Sequence, residues 1–358
     1  MKKDTDNNTE RKRCSSVGGQ AVLEGVMMKN PESGMALAVR RTDGTIVEEF
    51  YCNKKKYKKG SFPTWPVIRG VYAFVESLVS GMKITTRSGE LLGEEFEEEP
   101  SKFEKWLSAK LGKSATDVAM VVAVVLAVGL SLGLFVFLPS FLVSLLHLEN
   151  SFVISLLEGV VRLCIFLGYV AAISLMKDIK RVFMYHGAEH KTIACYEAEG
   201  EMTPENIMHY TRFHARCGTN YLLLVMVVSI LFFACIPVKS FWPRLATRLL
   251  FLPVVAGLGY EVLKAAAKSD GPVARAVRAP GLALQRLTTA EPTVDMVEVA
   301  LASFNLAMSS PKEDIRVETD SEKKKAAAAA GNEASAEKPE EGPDEKGEAS
   351  AEPEINAQ

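Results

Sequence analysis

Four of the five histidines in this chain, His186, His190, His209 and His214, fall between residues 186 and 214. They keep company with Glu189, Glu197, Glu199, Glu201 and Cys217. Residues 185–190 read YHGAEH, which contains H-x-x-E-H, the inverted form of a zinc-hydrolase helix motif. On a helix, residues four apart share a face. His186 and His190 would then present two ring nitrogens to one metal, with Glu189 beside them to act on a metal-bound water. His214 and Cys217, three residues apart, offer one or two further ligands. Three protein ligands plus water is the catalytic zinc pattern, and four closed ligands the structural one. Imidazole and thiolate together suit zinc among the divalent metals. The plain alternative is an interfacial helix whose histidines and glutamates make ordinary hydrogen bonds. Gly187, a poor helix former, counts toward it. His209 is five positions from His214, off-face on a helix, and reads as a surface residue.

Two other places carry ionisable groups where they are unexpected. Glu158 and Arg162 lie four apart inside an apolar run. Such a pair either locks helix packing or marks a proton or ion path. Residues 18–28, GGQAVLEGVMM, are neither G-x-G-x-x-G nor a P-loop, so no nucleotide fingerprint is present. Their glycines suit a packed turn, and Glu24 is a possible extra ligand.

The elements that must position these groups follow from the apolar pattern. Residues 118–146, 152–176, 221–238 and 241–263 are apolar runs near or above the ~20 residues that a helix needs to cross a bilayer. Short linkers join them in two pairs, and the long polar linker 177–220 carries the histidines. That linker and the region before residue 117 are rich in Lys and Arg, whereas the short linkers carry only Lys239. The positive-inside rule therefore puts both termini and the histidine linker in the cytosol. Arg244 and Arg248 fall on the far side, where they would snorkel or pair within the bundle. The fold class expected is a polytopic α-helical membrane protein with about four transmembrane helices and a small cytosolic α+β part at residues 15–116.

Within that part, residues 35–42 and 45–50 flank Asp43-Gly44, a hairpin signal of the type in which both turn positions take positive φ. Pro66 opens a helical pattern over 67–85. Residues 94–99 form an acidic run, and 102–113 read as an amphipathic helix. Thr203-Pro204-Glu205 starts a helix that would carry His214 and Cys217 and end at Gly218. The segment 265–308 includes a helical stretch at 294–306. Residues 1–14 read as a basic tail, and 309–358, rich in Ala, Glu, Lys, Gly and Pro, as a disordered one.

Composition excludes several classes. Net charge is −2, so no nucleic-acid footprint is indicated. The first residues lack the apolar core of a secretory signal. Of six cysteines, Cys164 and Cys235 sit in apolar runs, and the rest would be cytosolic and reduced, so no structural disulfide is expected.

Residues 18–28, 185–195, 214–219 and 280–289 (PGLALQRLTT) together resemble the YqhQ-like family of bacterial membrane proteins, a domain of unknown function. The resemblance runs from Val17 to Phe304. The family's GGQAVxEGVMM signature falls on residues 18–28 with Glu24, its YHGAEHK signature on 185–191, and its HPRCGT signature on 214–219 with Ala215 in place of proline. Members are described, by inference, as metal-dependent enzymes. The resemblance thus implies a metal site and supplies no substrate.

The function expected is a multi-pass protein of the bacterial cytoplasmic (inner) membrane with a divalent-metal site at its cytosolic face, used for hydrolysis. His186 and His190 would be ligands, His214 or Cys217 would complete the shell, and Glu189 would be the general base or stand behind the ligands and support them. Membrane lipids are the natural partners, with other membrane proteins or a homo-oligomer beside them. The alternative is a non-enzymatic scaffold or regulator of other membrane machinery, such as protein translocation, with any metal structural. A transporter using Glu158 and Arg162 ranks third, since four helices without evident repeats make a poor monomeric core.

Overall fold

The computed structural model describes residues 15–53, 60–92, 115–266 and 271–319, with 115–121 as backbone alone. The acidic run at 94–99, the amphipathic pattern at 102–113, the tail 1–14 and residues 320–358 lie outside the described residues.

Four strands come first: β1 (Gly18–Val22), β2 (Gly25–Asn30), β3 (Gly34–Arg40) and β4 (Ile46–Cys52). They form an antiparallel meander. Strand side chains alternate between faces, and here both faces are covered. Val26, Met28, Ala36, Ala38 and Phe50 point to one side, Met27, Leu37, Val39 and Val47 to the other. Helix α1 (Ile68–Leu92) covers the second face with Ile84, Leu91 and Leu92. The first face meets two helices from later in the chain. Burial on both sides explains why β2 and β3 read as nearly continuous apolar runs.

The expected hairpin at Asp43-Gly44 is present as β3–β4, but its turn differs. Only Gly44 has positive φ (84°), and the loop spans residues 41–45. Asp43 holds it by accepting a hydrogen bond from the Thr45 N–H (2.8 Å), an Asx turn rather than a two-residue turn. That bond also keeps the Asp43 carboxyl below its ordinary range.

Next comes α2 (Ala115–Leu132), which runs through a π turn (Gly133–Phe137) into α3 (Leu138–Ser144). Then follow α4 (Ser151–Ile173), α5 (Lys177–Glu197), the single turn α6 (Pro204–Ile207), α7 (Gly218–Ala234) and α8 (Phe241–Ala266). Three stretches among the described residues are long and apolar enough to cross a membrane: Val122–Ser144, Ser151–Ile173 and Phe241–Ala266. The fourth expected span, α7, has 17 residues. At 1.5 Å per residue such a helix is about 26 Å long, somewhat under the ~30 Å hydrocarbon core.

Helices α9 (Pro272–Thr288) and α10 (Val294–Ser309) close the order, followed by β5 (Ile315–Thr319). α5 and α10 cover the first sheet face through Tyr185, Ala188, Ile193, Val297, Ala300 and Phe304. β5 corrects the expectation that the tail begins at residue 309. It pairs antiparallel with β4, Phe50 opposite Ile315 and Ile46 opposite Thr319. The outer edge of β4 offers unpaired backbone groups, and a short alternating segment, IRVET, satisfies them.

Candidate metal centre

Helix α5 carries the H-x-x-E-H residues and continues without a break through Gly187. The glycine has a steric cause: a Cβ there would lie 2.1 Å from the Ala290 carbonyl oxygen. Because nothing projects at that point, the chain leaving α9 lies directly on α5. The Ala290 N–H donates to the Phe183 carbonyl (2.9 Å), and the Thr288 carbonyl lies 2.9 Å from His186 Nδ1. His190 Nδ1 lies 2.6 Å from the Arg212 carbonyl. A carbonyl only accepts, so in each bond Nδ1 carries the proton. A neutral ring then leaves Nε2 as a lone pair.

Those lone pairs converge. His186 Nε2 is 3.2 Å from Cys217 Sγ. His190 Nε2 is buried without a hydrogen-bond partner. One donor atom from each of His186, His190 and Cys217 lies within 4.8 Å of the other two. Histidine ligands of metals commonly donate their second ring N–H to a backbone carbonyl, which fixes ring and tautomer. Cys217 is the N-cap of α7, and its Sγ accepts from the Thr219 N–H (3.4 Å), at a helix end whose dipole favours negative charge.

His214 and Cys217 do not share a helix. α6 ends at Ile207, and Gly218 begins α7 instead of ending its predecessor. The intervening loop is shaped by buried polar side chains. Lys191 donates to the Met208 and Tyr210 carbonyls (2.8 and 2.9 Å). Gln285 accepts from the His214 N–H and donates to the His214 carbonyl, both at 2.8 Å, and to Asn220 Oδ1 at 2.9 Å. Asn220 in turn donates to the Ala215 carbonyl (2.8 Å). Sequence reasoning passed over these three, although Lys191 and Gln285 stand inside the quoted motifs. His214 lies near His190, ring centroids 5.5 Å apart and the planes tilted by 44°, but its Nε2 lies 3.7 Å from Glu197 Oε2 and outside the converging trio. Glu197 is itself buried and paired with Arg216. His209 is exposed.

Glu189 is buried beside the trio, and its Oε2 has no hydrogen-bond partner. It packs on Gly19 of β1, where a Cβ would fall 2.7 Å from its Cδ. Glu24 is elsewhere. It occupies the β1–β2 turn at φ 48° and accepts from Arg181 Nε and Nη2 (both 2.5 Å) and from the Tyr185 hydroxyl (3.1 Å). Burial, with Glu24 beside it, pushes the Tyr185 hydroxyl well above its usual pKa. The hairpin thus lies along α5, with its turn on Arg181 and Tyr185 and its first strand over Glu189.

The family described as "Protein of unknown function (DUF1385)" matches residues 65–310. The chain belongs to this family. It is also 36% identical over 295 residues to "Uncharacterized protein YqhQ" of Bacillus subtilis (strain 168), covering 80% of this chain and 91% of that relative. No solved structure matches. The family span takes in α1 through α10, hence the whole trio, while β1 precedes it.

A cleft of about 840 Å³ lies between β1, α1, α5, α7 and α8. His186 and Cys217 form part of its wall, with Gln20 and Thr219 near them in sequence or space. Glu158 and Arg162 are not in it. Their expected pairing is corrected by the structure. Glu158, fully buried, pairs with Arg244 (2.8 Å) and Arg248 across from α8, whereas Arg162 Nε donates to the Phe135 carbonyl (2.8 Å) in the π turn. Two arginines one turn apart on a facing helix outcompete a neighbour on the same helix. Arg244 and Arg248 therefore pair within the bundle.

Proposed function

We propose that this chain is an integral membrane protein that binds a divalent metal, zinc by its donor set, at His186, His190 and Cys217 and uses it for hydrolysis. One observation carries the reading: both histidines commit Nδ1–H to backbone carbonyls, so their Nε2 atoms and Cys217 Sγ are left facing one point. Without an ion, the buried His190 Nε2 carries an unmade hydrogen bond, a penalty of about 1–3 kcal/mol. A bound metal supplies a polarised water of lowered pKa. Two residues of the trio line the cleft, which gives a substrate access to the fourth position. A closed structural site would need a fourth protein ligand, and His214 turns its Nε2 toward Glu197. Glu189, with a buried carboxylate oxygen free of partners, is the candidate base.

Strand pairing supports the membrane topology. β4 precedes the long apolar helices and β5 follows them, yet the two share a ladder. The number of crossings between them must be even. Three long spans alone are odd, so the shorter α7 is assigned as the fourth crossing. The sheet, α5 and both ends then share one side, which the Lys and Arg distribution places in the cytosol of a bacterial inner membrane.

Metal content by mass spectrometry on detergent-purified protein tests the site. Wild type is expected to hold about one equivalent of zinc or another transition metal, as a three-ligand site would, and His186→Ala/His190→Ala to lose it. Folded wild type that stays metal-free under non-stripping conditions overturns the reading.

A further inference from the structure

The cleft is more selective than its size suggests. At about 840 Å³ it falls in the ~300–1,000 Å³ range of small-molecule sites. One wall is α1, whose Phe74, Leu78 and Met82 line the cleft and repeat every four residues along one stripe. Leu78 and Met82 are half exposed, at 53% and 50%. The same helix exposes Val75 and Val79. Two of its charged groups turn to the sheet: Glu76 pairs with Lys29 of β2 (2.9 Å), and Lys83 sits over the Tyr51 ring of β4. An exposed apolar stripe on a helix whose polar side is tied to a soluble sheet is how a helix lies in a lipid interface. The opposite walls are α7 and α8, through Leu222 and Leu263.

Among the described residues, the lining contains no Lys, Arg, Asp or Glu. A peptide threaded here would bring an N–H and a C=O at every residue, with few partners to receive them. A hydrocarbon chain brings none. A phosphate-bearing head would require basic side chains that the lining lacks. His186 and Cys217 stand together with Thr219, and the other polar lining residues, Gln20, Ser77, Thr85, Thr86, Tyr221 and Tyr260, are uncharged.

We propose that the cleft holds the acyl chain of a neutral lipid ester, entering past the α1 stripe from the membrane, with its ester carbonyl at His186 and Cys217. The placement of the chain stands by itself, while the reaction rests on the hydrolase reading above. In that reaction the oxygen of water bonds to the carbonyl carbon and the acyl C–O bond breaks. A proton from the water passes to the departing alkoxide, giving a carboxylic acid and an alcohol.

The test is equilibrium binding of a pyrene-labelled long-chain monoacylglycerol to purified full-length protein, with metal content measured on the same samples. Wild type is expected to bind the probe. Leu78→Asn, a half-exposed position whose change leaves the core intact, should weaken binding about tenfold, the loss expected for one buried apolar side chain. Ala73→Trp, which fills the cleft, should weaken it at least as much. Metal content should stay at the wild-type level in both. His190→Ala, whose side chain does not line the cleft, should lose metal and still bind the probe. Probe binding in a metal-free wild type would sustain the lipid site while the metal reading falls. Metal without probe binding would do the reverse. Unchanged binding in Leu78→Asn and Ala73→Trp overturns the proposal. So does tighter binding of a lysophosphatidic acid, or displacement of the probe by an apolar peptide and not by unlabelled monoacylglycerol.

Discussion

Two buried polar clusters sit in this molecule, and they are built on opposite plans. At Glu158 the charges close on one another, each carboxylate oxygen facing an arginine of α8. At His186 and His190 the Nδ1 protons are directed to backbone carbonyls, which leaves Nε2 of each ring as an acceptor beside the Cys217 thiol. The first cluster pairs its own charges and fastens α4 to α8. The second retains capacity for something the chain does not itself provide. Burial alone does not mark a functional site. The direction of the unmade bonds does.

The largest effect should come from the closed cluster. Glu158→Gln leaves Arg244 and Arg248 buried beside no counter-charge, and breaking a buried pair this way costs on the order of 3–5 kcal/mol. Thermal unfolding in detergent should show it, with metal content per folded molecule unchanged. A variant as stable as wild type would erase the contrast between the clusters.

Gly187→Ala should have the next effect. Its Cβ would meet the Ala290 carbonyl, forcing the segment after α9 away from α5 and with it the Thr288 acceptor of His186. Overpacking of this kind costs ~1–3 kcal/mol. Loss of the supporting hydrogen bond should weaken metal affinity by about 10–100-fold, read by competition with a chelating dye. Wild-type affinity in a destabilised Gly187→Ala would mean that the carbonyl does not set the ring.

The smallest effect sharpens the comparison outside the apolar bundle. Glu49, buried on β4, is also closed, pairing with Arg87 of α1 (2.6 Å) and accepting from the Tyr51 hydroxyl. The Arg87 guanidinium holds the Glu49 carboxyl below its ordinary 4.5, and burial pushes the Tyr51 hydroxyl up to about 12. Because the folded pKa is the lower one, this stability is present above pH 4.5 and is lost as pH falls through the depressed folded value. Arg87 remains about a third exposed, so the pair contributes only ~1 kcal/mol. Glu49→Gln should flatten the acid limb of a stability–pH curve by that amount. An unchanged limb would show that solvent screens the pair completely.

Much of the architecture is legible in one dimension. Residue type and period mark the apolar helices, the β3–β4 hairpin and α10, because each depends on neighbours a few positions away. The histidine pair on α5 is legible for the same reason, since a four-residue spacing is one helical turn. Cys217 was found by composition and proximity, but the helix assigned to carry it was wrong. The loop is held by Lys191, Gln285 and Asn220, which lie on other elements. β5 was missed because a five-residue strand has meaning only beside the edge it completes.

The amino-acid sequence by itself determined which groups this protein owns: two histidines one turn apart, a thiol three residues from another histidine, a carboxylate among apolar residues. Only the tertiary structure decided how they are used. It turned Glu158 toward α8 and away from Arg162, gave Glu24 to Arg181, and directed His214 to Glu197. It also brought the Thr288 and Arg212 carbonyls to the two rings, 102 and 22 residues away in the chain. Local periodicity is set by the geometry of one helix or strand. Hydrogen-bond partners are set by whichever competing donor or acceptor packing brings closest, and that competition is resolved only in the folded chain.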